Sequence, residues 1–282
     1  SVFLPLEHAR LAQIGEGRDR TRIFARYSLV GVLCAAAGAL AAGLPDLLAE
    51  AGVDRLEALR GMFLVYAGVG LLIWRRCPPA PGLQRVRAAA TPTPLGPSRG
   101  VVVRLALLFS VDAFAGGLVV NSLLALWLFE RFGLSLAAAG AFFFWSGLLG
   151  ALSQLAAPWL ARRIGLLNTM VFTHIPASMF LILAALATDM AWAMGLLLAR
   201  AALSQMDVPA RSAYVMAVVT PGERAAAASF TAVPRSLAAA LSPALGGVLL
   251  AGGWLAAPLI ACGVLKIAYD LALWRSCRQH PI

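Results

Sequence analysis

The sequence predicts an all-α polytopic membrane protein, and three observations predict it. The chain is 61% hydrophobic, with a mean hydropathy of +0.82. Only 13% of its residues are charged, against roughly 25% in a soluble globular domain. Its apolar residues gather into runs of the ~20 residues that a helix needs to cross a bilayer.

Eight such runs follow one another at roughly 24–44, 57–74, 101–128, 135–160, 167–187, 190–215, 225–251 and 254–274. Residues 1–14 read as the tail of a ninth. Arg18, Arg20 and Arg22 lie in the connection at 15–23. Asp46, Glu50 and Asp54 face the single Arg55 at 46–56. Arg75, Arg76, Arg85, Arg87 and Arg99 crowd 75–100, Arg162 and Arg163 mark a later connection, and Arg275 and Arg278 close the chain. Threading the spans alternately places these arginines on one side, which the positive-inside rule makes cytoplasmic. The C-terminus is then expected inside.

Residues 77–100 hold Pro78, Pro79, Pro81, Pro92, Pro94 and Pro97. No helix survives that proline density, so the stretch reads as a flexible cytoplasmic linker. It divides the chain into a first bundle at 1–76 and a second, six-span bundle at 101–282.

Net charge is +10, and all but one of the 23 basic residues are Arg. Because they sit in short connections between apolar runs, the lipid bilayer and not nucleic acid is the expected partner. Cys34, Cys77, Cys262 and Cys277 form no CxxC pair, which argues against a disulfide framework or a metal knuckle. HExxH, Gly-x-Ser-x-Gly and GxxxxGK[ST] are all absent. The expectation is no enzyme activity, no cofactor and no metal.

The chain also repeats itself. Leu72-Ile73-Trp74-Arg75-Arg76-Cys77 reads against Ala272-Leu273-Trp274-Arg275-Ser276-Cys277, Asp19-Arg20 against Glu223-Arg224, and Pro5 against Pro209. The matched points keep their order at an offset of 200 to 204 residues. A tandem duplication explains this, and parallel repeats about an axis along the membrane normal are a transporter plan. Position 1 matches 205 while the second unit starts near 101, so on the order of a hundred residues are expected to precede Ser1, enough for three spans and part of a fourth. The expected whole is two parallel six-span units.

That layout, the basic cytoplasmic loop at 75–100, and the connection Pro158-Trp159-Leu160-Ala161-Arg162-Arg163-Ile164-Gly165 resemble the major facilitator superfamily of secondary transporters. The connection is similar to the family's loop signature Gly-x-Leu-Ala-Asp-Arg-x-Gly-Arg-Lys. Ala161 stands at the signature's acidic position, so its charge-relay role does not carry over. The resemblance implies a two-bundle fold with this chain supplying spans four (in part) to twelve. It also implies alternating access, and a first helix of the second half that lines the central cavity.

An ionisable group within a span is costly and is a functional candidate by default. Asp112 lies eleven residues into a span entered from the cytoplasm, about 17 Å deep at the helical rise, and Gly116-Gly117 follows it. It reads either as a proton- or cation-binding carboxylate or as half of a structural ion pair. Arg235, beside Pro234 and eleven residues after Arg224, reaches a similar depth, either as its partner or as a cavity cation for an anionic solute. Arg200 is a second deep cation, and Asn121 is a hydrogen-bonding candidate for the cavity. Asp207 and Arg211, four apart, share a helical face near the cytoplasmic end. With Glu223 and Arg224 they read either as an inner gate or as solvated pairs. Lys266 and Asp270, also four apart on an expected peripheral span, read as a structural pair. His174 reads as a hydrogen-bonded histidine in preference to a proton relay. Gln154 and Gln205 are further hydrogen-bonding candidates. Phe142-Phe143-Phe144-Trp145 reads mainly as lipid contact, because consecutive helical residues point in different directions.

The expected function is therefore secondary transport of a small solute by alternating access, with proton-coupled export (antiport) the first reading. The rival is a non-transporting membrane protein, a sensor, partner subunit or remnant, on a transporter fold. Richness in Ala, Arg and Leu fits a GC-rich bacterial source, and hence a multi-pass protein of the plasma (inner) membrane.

Overall fold

The computed structural model describes residues 30–31, 33–76, 95–220 and 223–277. Among them there is no strand. In chain order, α1 spans 33–41, α2 Leu44–Glu50, α3 Arg55–Arg76, α4 Arg99–Gly117, α5 Asn121–Phe132 and α6 Leu136–Ile164. Then follow α7 Leu166–Leu186, α8 Met190–Ser204, α9 Asp207–Val218, α10 Arg224–Ala251 and α11 Ala257–Cys277. Seven stretches among the described residues are long and apolar enough to cross a membrane: Leu33–Glu50, Arg55–Arg76, Arg99–Phe132, Leu136–Ile164, Leu166–Leu186, Ser229–Ala251 and Ala257–Cys277. The chain is a multi-pass α-helical membrane protein. The stub at 1–14, the connection at 15–23, residues 77–94 of the expected linker and the last five residues lie outside the described residues.

Two expected spans are not continuous. The one at 190–215 breaks at Gln205–Met206, leaving α8 with 15 residues, short of a full crossing, and starting α9 afresh at Asp207. The one at 101–128 breaks at 118–120, where Val120 is extended (ψ 157°) and α5 begins. The physical reason at 118–120 is the close passage of α10. A Cβ on Gly246 would lie 2.7 Å from the Leu118 carbonyl oxygen, and the Ser242 hydroxyl donates to the Phe114 carbonyl. Small residues let helix backbones approach in this way. Pro158, Pro176, Pro234 and Pro243 lie inside helices, whereas Pro209 stands in the first turn of α9, just after the break at 205–206.

The contacts divide the chain into two units. The described part of the first comprises residues 30–31, 33–76 and 135–144. Residues 135–144 thus group away from the second bundle, where the sequence places them. Within this unit the Asp46 carboxylate accepts the Ala137 N–H at 3.1 Å, and a Cβ on Gly140 would lie 2.6 Å from the Ala39 carbonyl oxygen. Most of α3 is exposed apolar surface, including Phe63, Leu64, Tyr66 and Trp74.

The second unit holds 95–134, 145–220 and 223–277 of the described residues. Its most extensive pairings are α4 with α10, α7 with α11, and α7 with α8; α11 also packs on α4, and α9 on α7. Gly263 lets α11 close on α7, since a Cβ there would lie 2.5 Å from Ile182 and 2.9 Å from the Ser178 carbonyl oxygen. A core of Val102, Leu105, Phe109, Met170, Tyr214, Tyr269 and Leu273 joins α4, α7, α9 and α11. These four helices carry the site.

Candidate functional site

Three pairs at helical four-residue spacing set up the site, since residues i and i+4 share a face. Thr169 and Thr173 on α7 return their hydroxyls to carbonyls one turn back, at 2.8 Å each. That satisfies them within their own helix, and the adjacent His174 turns inward. Asp207 and Arg211 start α9, and Lys266 and Asp270 sit together on α11. Asp112, on α4, is 3% exposed.

These groups form one bonded chain across four helices. Arg211 Nη2 donates to Asp112 Oδ2 at 2.8 Å and also to Asp207. Lys266 Nζ donates to Asp112 Oδ1 at 2.6 Å. The same ammonium lies 3.2 Å from His174 Nε2, and His174 Nδ1 lies 3.0 and 3.1 Å from the two Asp270 oxygens. The order is Asp207, Arg211, Asp112, Lys266, His174, Asp270. All but Lys266 are buried, and Lys266 is partly so. A charged lysine has only hydrogens to offer, so Nε2 accepts and the imidazole proton sits on Nδ1, facing Asp270.

Phe109 lies under the Arg211 guanidinium, 5.1 Å from its carbon to the ring centroid. Tyr269 meets both Phe109 and His174 edge-on, at 6.5 and 6.2 Å. Arg211 Nε and Nη1 and the Tyr269 hydroxyl are buried without a hydrogen-bond partner among the described residues. Removing one member of a buried ion pair typically costs about 3–5 kcal/mol, because the partner's charge is left uncompensated.

Several residues singled out in the sequence fall together here, but in different pairings. Asp112 sits at the centre. Arg235, its expected partner, makes no hydrogen bond or ion pair among the described residues; it is exposed, within electrostatic reach of Asp112 and Asp207. Arg211 and Lys266 occupy both Asp112 oxygens instead. Lys266 and Asp270 do not bond to each other: both turn to the neighbouring helix, Lys266 to Asp112 and His174, Asp270 to His174 alone. Asp207 and Arg211 do pair, as part of the same chain and not as a separate element. His174, expected as an ordinary hydrogen-bonded residue, is the bridge between Lys266 and Asp270.

The remaining candidates lie apart. Arg200 makes no hydrogen bond or ion pair among the described residues and lies within electrostatic reach of Cys262. Asn121 is exposed at the first turn of α5. Gln154 donates to Gln205 at 3.4 Å, tying α6 to the break before α9. Phe142 and Phe143 pack edge-on within the first unit. Glu223 accepts from the Gly96 N–H and from the Thr220 hydroxyl at 2.8 Å. With a hydrogen bond from Ser98 as the largest influence, these hold its carboxyl below the ordinary glutamate range. Glu223 therefore ties the segment leading into α4 to the α9–α10 connection. The Arg224 side chain lies outside the described ones. No group of three or more His, Cys, Asp or Glu placed to hold a metal occurs among the described residues.

No known family model matches the chain, and no curated protein matches it in sequence.

Proposed function

We propose that this protein is a secondary transporter of a small solute that works by alternating access and couples transport to protons. The observation that carries the reading is the buried bonded chain from Asp207 to Asp270. Ionisable groups inside membrane spans are rare, and they mark ion and proton paths. Four of the six, Asp112, His174, Lys266 and Asp270, lie on candidate spans, and a purely structural role does not need four, least of all a histidine held between an ammonium and a carboxylate. The helix breaks support the same reading. Discontinuous helices at membrane depth are where transporters build their sites, and the breaks at 118–120 and 205–206 flank Asp112 and Asp207.

In this reading Asp112 is the hub of coupling, and Arg235 and Arg200, cations with no bonded carboxylate among the described residues, supply positive charge to the solute path. The resemblance to the major facilitator superfamily in repeat pattern and cytoplasmic loop gives the frame, with export across a bacterial plasma membrane and a cytoplasmic C-terminus. The test is a pH-dye assay on proteoliposomes holding the full chain, challenged with drugs, organic anions and sugars. Dye change triggered by a compound, and absent from protein-free vesicles, supports the reading. Silence across the panel from inserted, helical protein turns it toward a non-transporting membrane protein.

A further inference from the structure

We infer that His174 is the proton-binding station of the buried chain, and that its protonation releases Lys266. The inference deepens the proton-coupled reading and rests on it for its purpose. Its geometry stands separately.

Each carboxylate in the chain is poorly placed to take a proton. Both Asp112 oxygens already accept from cations, Arg211 at 2.8 Å and Lys266 at 2.6 Å. A proton on either displaces a charged donor, and charge-assisted hydrogen bonds are the strong ones. Asp270 turns both oxygens to His174 Nδ1, so a proton there sets O–H against N–H. Asp207 is tied to Arg211. His174 Nε2 is different. It is a nitrogen lone pair whose donor is the end of a long, flexible lysine that keeps a second, shorter contact with Asp112.

The proton balance is simple. In the state described, Nδ1 carries the ring proton and Nε2 accepts from the Lys266 ammonium. A proton arriving from solvent bonds to Nε2 and makes imidazolium, whose charge Asp270 offsets through the existing Nδ1 contact. Two donors, each on a cation, then face each other across 3.2 Å. The ammonium swings away and keeps Asp112 as its anchor. The link between α11 and α7 through Lys266 is lost while the link between α11 and α4 stays. Releasing the proton restores the contact. Proton occupancy is thereby converted into a change of helix-to-helix bonding.

The other titratable and charged groups on the surrounding elements do not take over this role. α11 presents Cys262, Lys266, Tyr269 and Asp270; α4 presents Asp112, whose Oδ1 is 3.9 Å from Nε2. α9 contributes Asp207 and Arg211, bound to each other, and Tyr214, engaged with Cys277. α8 carries Arg200, on the Cys262 side, and α10 carries Arg235, within reach of Asp112. α7 has no other titratable side chain.

The composition makes the test clean. Lys266 is the sole lysine, and His8 and His280 are the only other histidines. A chain carrying His8→Gln and His280→Gln, labelled with ¹⁵N-histidine and ¹⁵N-lysine and held in lipid bilayers, gives single-site signals for both partners while the network stays intact. Between about pH 8 and 5, the range over which an unperturbed histidine changes charge, the expected result is conversion of His174 from the Nδ1–H tautomer to imidazolium. The Lys266 Nζ resonance should move at the same midpoint. A neutral His174 across the whole range overturns the inference, as does a His174 transition that leaves the Lys266 signal still. The readout needs no solute, so a failed transport reading and a failed proton station are told apart: silent vesicles with a coupled His174–Lys266 titration refute only the first, and proton-coupled transport with a fixed His174 refutes only the second.

Discussion

Asp112 was legible from sequence alone because a carboxylate inside an apolar run is too costly to be incidental. Its partners were not, because they come from 99 and 154 residues away. Counting residues put Arg235 at the depth of Asp112 and Arg211 near the cytoplasmic end, yet Arg211 is the one that bonds. Four-residue spacing made Lys266 and Asp270 look like each other's partner, yet His174 on the next helix offered both a better-placed one. The consequence is measurable. Asp112→Asn leaves Arg211 and Lys266 without their shared counter-charge and is expected to cost about 3–5 kcal/mol, as for a broken buried pair. Adding Lys266→Met removes one of the stranded charges, so the double variant should recover part of that loss. Denaturation of the four proteins in detergent gives the coupling, expected in the range of about 0.5–3 kcal/mol for residues in contact; strict additivity would mean the two side chains do not interact. Outside the candidate spans, Glu223 is held as carboxylate by Ser98, Gly96 and Thr220. A carboxyl depressed in the folded state adds stability above its ordinary range and loses it as pH falls through the folded value. Acid should therefore lower the melting temperature of the wild type more than that of Glu223→Gln.

The all-helical character of the described residues followed from hydropathy, since only a backbone bonded to itself survives in hydrocarbon. The breaks did not. Gly116-Gly117 stands just before the break at 118–120, and Pro209, which cannot donate to the Gln205 carbonyl, stands just after the break at 205–206. The structure ties it to a long-range feature, the amide contact of Gln205 with Gln154. Close crossings were equally hidden, because a glycine that touches a neighbouring backbone reads the same in sequence as one that touches nothing. Gly263 and Gly61 make the contrast: a Cβ at Gly263 meets Ile182 and a backbone oxygen, whereas one at Gly61 meets no atom within 4 Å. Gly263→Ala should cost about 1–3 kcal/mol through overpacking. Gly61→Ala should be neutral or gain up to about 1 kcal/mol from helix propensity. Thermal melts of the two variants in matched bilayers check this, and equal shifts would contradict the packing described between α7 and α11.

The arginine pattern carries a prediction for the chain as a whole. Positive-inside threading puts the turns at Gly52 and Gly253 outside and the connection at Arg163 inside. Single cysteines introduced at these positions in a chain stripped of its own four should react with an impermeant maleimide in intact cells at the first two only. Labelling of all three alike, or of Arg163 alone, would reverse or dissolve the topology. Composition alone was enough to show a multi-pass helical protein. How contacts divide it was not legible, since residues 135–144 read as part of an unbroken second bundle and yet associate with 30–76. The central claim is that the buried chain around Asp112 links solute movement to protons. It is tested most directly by comparing wild type with Asp112→Asn in the pH-dye vesicle assay, using a solute the wild type carries and a variant of unchanged helix content. The account predicts that substrate-triggered proton movement, and with it the pH dependence of transport, disappears in the variant. Transport at full rate with unchanged pH dependence would contradict it.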